Sequence, residues 1–191
     1  MNDSYWQNRY KNENTGWDIG YVSTPIKEYI DQLTAKDIEI LIPGAGNAYE
    51  AAYLFMNGFS NVHVLDFAEQ PIVNFKKAYP NFPSDQLHLQ DFFKHQNTYD
   101  LILEQTFFCA LNPELREKYV VHMAKCLKTG GKLAGVFFDF PLTEKGPPFG
   151  GSLVEYKSLF SDLFEIKKLE RCYNSIKPRM GNELFFIFEK K

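Results

Sequence analysis

The run Glu39-Ile40-Leu41-Ile42-Pro43-Gly44-Ala45-Gly46-Asn47-Ala48-Tyr49-Glu50 constrains the fold of this chain more than any other stretch. An apolar strand enters a glycine turn, and a helix follows at once. Twenty residues past Gly46, a second strand, Val62-His63-Val64-Leu65, ends on Asp66. In an open parallel sheet, ligands sit outside the carboxyl ends of the strands, and an acid at the tip of the second strand can grip a ribose diol. Glycine lets the backbone approach a ligand where a Cβ would collide. The pattern predicts a nucleoside-containing cofactor held by Gly44, Gly46 and Asp66. Two glycines also occur in βα turns that bind nothing, so the rest of the chain has to decide.

A nicotinamide dinucleotide calls for G-x-G-x-x-G, because its pyrophosphate sits on the helix N-terminus and the third glycine permits close helix–strand packing. Tyr49 stands at that third position, and there is no G-x-x-x-x-G-K-[ST] loop. A cofactor without phosphate fits better, and S-adenosylmethionine is the common one.

Composition narrows the function classes. The 191 residues suit one domain with a single large core. A net charge of −3, with no lysine or arginine run longer than two, lacks the basic footprint of a nucleic-acid binder. The N-terminus is polar and has no apolar signal region. No apolar stretch reaches the about 18 to 20 residues of a membrane span. Cys109, Cys126 and Cys172 are odd in number and widely spaced, which reads as free thiols in a reducing compartment. The four histidines show no metal-ligand spacing. The expectation is a cytoplasmic monomer acting on a small molecule, with no metal, nucleic acid or membrane partner.

Residues 1–22 carry both tryptophans and no strand. A helix is predicted from Thr24-Pro25, with Thr24 as cap and an apolar stripe at Ile26, Ile30 and Leu33. Strands are predicted over 37–42, 61–65, 86–89, 99–104 and 132–138, with helices at 48–57, 69–78 and 113–127 between them. A Pro/Gly-rich loop and a helix over 153–159 follow. The closing strands, 164–173 and 183–189, are only nine residues apart, too few for a crossover, so they should pair antiparallel.

Several separated strings now converge: Trp6-Gln7-Asn8-Arg9-Tyr10 with Thr15-Gly16-Trp17-Asp18; Pro43-Gly44-Ala45-Gly46; Phe107-Phe108-Cys109-Ala110-Leu111 with Pro113-Glu114-Leu115-Arg116; Gly146-Pro147-Pro148-Phe149; and Asn174-Ser175-Ile176-Lys177-Pro178-Arg179. Together they resemble the thiopurine S-methyltransferase superfamily, and within it the halide/thiol methyltransferase-like branch. The likeness spans nearly the whole chain. It implies an α/β, Rossmann-like class I methyltransferase fold: a seven-stranded, mostly parallel sheet with a C-terminal antiparallel hairpin. It also implies one methyltransferase domain over 1–191, with 1–22 as an N-terminal lid and 23–191 as the core. S-adenosylmethionine contacts are implied at Trp6, Tyr10, Trp17 and Gly44, with Asp66 on the ribose, Asp91-Phe92 near the adenine, and Glu104-Gln105 at the end of strand four. The family usually has tryptophan where Tyr10 stands, proline where Gly16 stands, and often an acid and a tyrosine where Glu104-Gln105 stand. These departures bear on pocket shape and therefore on substrate.

Read without the family, the residues leave choices open. Asp66 is also a common kind of turn residue, though its spacing favours the ribose. Asp91 is as suited to capping the next turn as to binding. Trp6 and Trp17 are either core residues or a lid whose aromatic faces attract a cationic sulfonium. Glu104 is equally a strand-end charge or a functional acid. Cys109 reads as a small packed hydrophobe. Lys177, Arg179 and Arg171 fit a solvated hairpin better than an anion site. Phe108, Phe149 and Tyr156 are expected to wall the acceptor, together with Trp17, Phe107 and Phe138. No Ser-His-Asp or Cys-His set is present, and no catalytic base is expected. The competing readings are a nicotinamide oxidoreductase, a nucleic-acid N-methyltransferase, and a cofactor-binding protein whose acceptor pocket is lost.

Overall fold

In the computed structural model, residues 3–191 are described. Strands β1 (Ile40–Pro43), β2 (Val62–Asp66), β3 (Leu87–Leu89), β4 (Tyr99–Gln105), β5 (Leu127–Phe138), β6 (Phe164–Arg171) and β7 (Glu183–Lys190) form one seven-stranded sheet in the order β3-β2-β1-β4-β5-β7-β6. β1 to β5 run parallel, while β7 inserts antiparallel between β5 and β6. The strand order reverses direction between β1 and β4, and such a reversal opens a crevice at the carboxyl edge.

Side chains alternate across the sheet, so each strand feeds two cores. Leu41 and Ile102 join an aromatic cluster that packs α5 (Arg116–Lys125) and α6 (Leu153–Phe160) with Phe137, Phe186 and Phe188. Ile40, Ile42, Leu101 and Leu103 face the other cluster, built with α2 (Thr24–Asp31), α3 (Tyr49–Met56) and α4 (Glu69–Ala78). β1 is buried at all four positions, as a strand covered on both faces should be. Eight of the 18 phenylalanines are buried in the first cluster, and Phe93 packs against it. Among the described residues, no helix is long and apolar enough to cross a membrane.

The structure departs from expectation in places. Residues 37–39 lie outside β1; the Glu39 amide donates to the side chain of Asp100 in β4, at Oδ2 (2.8 Å), rather than to a strand backbone. β5 begins at Leu127, before the glycine pair rather than after it. Its pairing jumps from Tyr99↔Leu127 to Leu101↔Lys132, a bulge that Gly130 permits with φ +73°. Ser23, not Thr24, occupies the N-cap of α2, and its hydroxyl donates to Gln105 Oε1 at 2.8 Å rather than capping. Pro113 opens a 3₁₀ turn ahead of α5. The N-terminal segment forms a helix, α1 (Asp3–Lys11).

Candidate active site

Two side chains explain why the turn after β1 needs its glycines. Gly44 and Gly46 adopt φ +58° and +54°. A Cβ on Gly44 would lie 2.2 Å from the Phe107 ring, and one on Gly46 would lie 2.6 Å from the Tyr10 hydroxyl. The turn is thus covered from one side by the loop after β4 and from the other by α1. Its amides serve β2 as well: Gly46 N–H donates to Asp66 Oδ2 at 2.9 Å, and Ala68 N–H donates to Oδ1 at 2.8 Å. Asp66 is only 7% exposed. Burial pushes its carboxyl up, while the amides of Ala68, Gly46 and Phe67 pull it back. Each oxygen keeps a lone pair for a further donor.

The N-terminal segment folds over this turn. Trp6 meets Trp17 edge-on at 5.2 Å, and Tyr10 meets Trp17 at 5.8 Å. Asp18 pins the segment to the start of α3, accepting from the Asn47 amide and, at 3.2 Å, from the Tyr49 hydroxyl. Tyr49 therefore has a task that the third glycine of a dinucleotide loop could not perform. Burial, with Asp66 nearby, pushes the Tyr10 phenol well up, so it stays neutral.

The loop after β4 closes the far side. Glu104 is fully buried; Oε1 accepts from the amides of Phe107 (2.8 Å) and Phe108 (3.0 Å), and Oε2 accepts from the Tyr119 hydroxyl (2.5 Å). Burial raises its carboxyl to about 7. These bonds hold a loop that turns through Thr106 at φ +59° and lays Phe107 over Gly44. Arg179, from the β6–β7 connection, reaches back to donate to the Trp17 carbonyl at 2.9 Å, and its Nη1 lies 3.7 Å from Glu183.

Between these elements lies a cavity of about 610 Å³, at the carboxyl ends of β1 and β4. Of the residues expected to bind the cofactor, Trp6, Tyr10, Trp17, Gly44, Gly46, Asp66 and Gln105 line it. Three residues of its lining carry a buried donor with no hydrogen-bond partner among the described residues: Arg9 at Nε, Gln105 at Nε2 and Arg179 at Nη1. Buried donors left so are costly unless a ligand supplies acceptors. S-adenosylmethionine carries such acceptors in its carboxylate, adenine and ribose, and the residues present fit it.

A model of the thiopurine S-methyltransferase family matches residues 1–190. The chain belongs to that family. Among its relatives, a probable thiol methyltransferase of Arabidopsis thaliana is 27% identical, over 93% of this chain and 81% of that protein. The thiopurine S-methyltransferase of Pseudomonas aeruginosa is 26% identical, over 90% of this chain and 87% of that one. In fold, the chain resembles the 1,6-didemethyltoxoflavin-N1-methyltransferase of Burkholderia thailandensis, solved with S-adenosylhomocysteine bound. The TM-score is 0.79 over 99% of this chain and 87% of that one, at 16% identity. At that identity the likeness speaks to the fold alone, which is that of class I S-adenosylmethionine-dependent methyltransferases.

In this member of the thiopurine S-methyltransferase family, several residues expected at the site lie outside the cavity lining. Glu104 does not line the cavity, because its carboxylate is turned inward to the loop amides and Tyr119. Phe108 and Tyr156 are 1% exposed and belong to the aromatic core; the Tyr156 hydroxyl is used by the Phe138 carbonyl at 2.7 Å. Phe92 is likewise buried among Phe93, Phe107 and His122. Asp91 caps the following turn, accepting from Phe93 N–H at 2.9 Å. Phe149 stays outside the lining, its amide tied to the Cys109 carbonyl at 2.8 Å. Of the residues expected to wall the acceptor, Trp17, Phe107 and Phe138 line the cavity, together with Cys109, Phe140, Pro147 and Pro148.

Two functional candidates carried weak sequence signals. Arg179 read as a solvated hairpin residue, yet its side chain is 11% exposed and faces the cavity. Arg9 went unremarked, although it follows Trp6 by three positions and so shares its helix face.

Proposed function

We propose that this protein transfers the methyl group of S-adenosylmethionine to the sulfur of a small, anionic or readily ionised acceptor, with halide as a related nucleophile. The observation that carries the reading is the cavity itself: an acid at the tip of β2, aromatic rings over it, and unpaired donors on its walls. When bound, the cofactor supplies a methyl carbon on a cationic sulfonium, open to in-line displacement. Held between Asp66 and the Trp6, Tyr10 and Trp17 rings, it would give that carbon to the acceptor's lone pair and keep the C–S electron pair as a neutral thioether.

The chain's residues act by placement. Asp66 accepts from the ribose hydroxyls, and Gln105 Nε2 offers a donor at the end of β4. Trp6, Tyr10 and Trp17 exclude water, and their faces suit a cationic sulfonium. Arg179 lies beside the Phe138 wall, which we assign to the acceptor, with its Cζ 5.9 Å from that ring; its guanidinium, Nη1 3.7 Å from Glu183 without a hydrogen bond, can draw an anionic nucleophile. Holding nucleophile and carbon in line contributes several kcal/mol as effective molarity. A thiolate, sulfide, thiocyanate or halide needs no strong base, so none of the acids lining the cavity, Asp18, Glu50 and Asp66, has to act as one. Burial pushes the Cys109 thiol far up, so it does not compete as a nucleophile. We read 1–191 as one methyltransferase domain with 1–22 as its lid. We read the protein as a monomer, and its buried free cysteines as those of a cytoplasmic enzyme.

Calorimetry with S-adenosylhomocysteine, followed by turnover against hydrosulfide, thiophenol, thiocyanate, iodide and 6-mercaptopurine, tests the proposal. One tight site per chain is expected, with S-adenosylhomocysteine released in the presence of a sulfur acceptor. Binding without turnover on any sulfur nucleophile would refute the acceptor assignment.

A further inference from the structure

The lid carries a cation that no acid among the described residues answers. Arg9 sits in the last turn of α1, with its guanidinium 5.0 Å from the Trp17 ring and 5.8 Å from Tyr5. Arg9 lines the cavity; among the described residues its buried Nε has no acceptor and Arg9 makes no salt bridge. The acids of the same cavity are engaged elsewhere. Asp18 accepts from Gly20 N–H at 2.8 Å, from Asn47 and from Tyr49. Asp66 holds two amides of the adjoining turns. Glu50 is buried at the start of α3.

Arg9 is half-buried, and its Nε is withdrawn from water without an acceptor, which is costly; a charge-assisted pair with a carboxylate is the strong way to relieve that cost. The proposed cofactor offers one anionic group, the α-carboxylate of its methionine tail. The ribose diol and amino group are donors, and the sulfonium is a cation. The other guanidinium of the cavity is differently placed. Arg179 comes from the β6–β7 connection and already has Glu183 and the Trp17 carbonyl. Arg9 instead shares α1 with Tyr10, whose hydroxyl lies against Gly46.

Resting on the methyltransferase reading, we infer that Arg9 binds the α-carboxylate of S-adenosylmethionine. The Trp17 and Tyr5 rings, 5.0 and 5.8 Å from its central carbon, keep the guanidinium at the cavity, and its planar fork suits a bidentate pair with a carboxylate. The lid then recognises the ligand's charge as well as covering it. The site should discriminate against nucleoside sulfides that lack the carboxylate, and that discrimination should reside in one side chain.

Calorimetric titration of S-adenosylhomocysteine and of its decarboxylated analogue into the wild type, Arg9→Gln and Arg9→Lys tests this. The wild type should bind S-adenosylhomocysteine at least tenfold more tightly than the analogue. Arg9→Gln should lose at least tenfold on S-adenosylhomocysteine and little on the analogue, so that the preference collapses. Arg9→Lys should keep part of it, because the charge remains and the fork is lost. Equal losses on both ligands, or none, would overturn the assignment while leaving the cofactor reading in place. Failure of either ligand to bind the wild type would overturn the cofactor reading and this assignment with it.

Discussion

Gly46 and Asp66 are joined by a hydrogen bond: the amide of Gly46 donates to Asp66 Oδ2 at 2.9 Å. The glycine turn and the acid at the tip of β2 are therefore one rigid unit rather than two ligands that happen to be near each other. Any group seated on the turn meets a carboxylate whose orientation is already set. Replacing Asp66 consequently has two costs, one to the ligand and one to the turn.

Asp66→Ala should weaken S-adenosylhomocysteine binding by roughly 1.5 to 3 kcal/mol, the range for losing bonds to a charged acceptor. Asp66→Asn, which keeps one acceptor oxygen, should fall between that variant and the wild type. Titration calorimetry reads the difference, and an unchanged affinity in Asp66→Ala would remove the residue from the site.

Gly46→Ala should disturb the lid directly. The added Cβ sits at a left-handed φ and meets the Tyr10 hydroxyl at 2.6 Å, whereas the next nearest ring atom is at 3.8 Å. Tyr10→Phe removes the colliding atom. The double variant should therefore recover about 1 kcal/mol of the ligand affinity lost in Gly46→Ala, a coupling expected only for residues in contact. Simple additivity would mean that α1 does not rest on the turn.

Local pattern made much of this architecture legible. The β–α alternation, the closing antiparallel pair and the spacing from Gly46 to Asp66 follow from strand periodicity, turn residues and chain length between elements. What depended on which way a side chain faces was hidden. Phe107 and Phe108 are adjacent in sequence, yet only Phe107 lines the cavity, because the 3₁₀ turn after Thr106 sends Phe108 into the core. Glu104 looked like either a strand-end charge or a ligand group. Its partners, Tyr119 and two loop amides, are set by tertiary packing that no local signal reports. Arg179 read as solvated because the fold of the β6–β7 connection over Trp17 cannot be inferred from composition.

Glu104 should make stability depend on pH in a definite direction. Its carboxyl moves from an ordinary 4.5 up to about 7 on folding, chiefly through burial. The folded state thus holds its proton more tightly than the unfolded state. That contribution is fully present below pH 4.5 and is lost as pH rises through about 7. Glu104→Gln keeps an acceptor for the two amides and does not titrate. Relative to this variant, the wild type should lose on the order of 1 to 3 kcal/mol between pH 5 and 8 in urea unfolding. A pH-independent gap would contradict the burial argument.

The histidines on the β2–β3 side predict the opposite dependence. His63 Nδ1 lies 2.9 Å from His88 Nε2, and His95 Nε2 lies 2.7 Å from the Tyr99 hydroxyl. Burial, with the neighbouring imidazoles, lowers His95 from 6.5 to about 4. The folded state resists protonation there, so this stability is present above pH 6.5 and is lost as pH falls toward 4. His95→Gln should lose less stability than the wild type over that interval. Equal acid sensitivity in the two proteins would show that His95 does not contribute.

The most direct test of base-free methyl transfer at this cavity is the pH–rate profile for two acceptors followed through S-adenosylhomocysteine release. A simple thiol should react faster as pH rises toward its own pKa near ~8.5, because the thiolate is the nucleophile. Thiocyanate, anionic throughout, should give a nearly flat profile over the same range. A limb near pH 7 shared by both acceptors would place a protein base in the reaction, with Glu50, raised by burial to about 7 and lining the cavity, the first residue to replace. That result would contradict the account, as would failure to release S-adenosylhomocysteine with either acceptor.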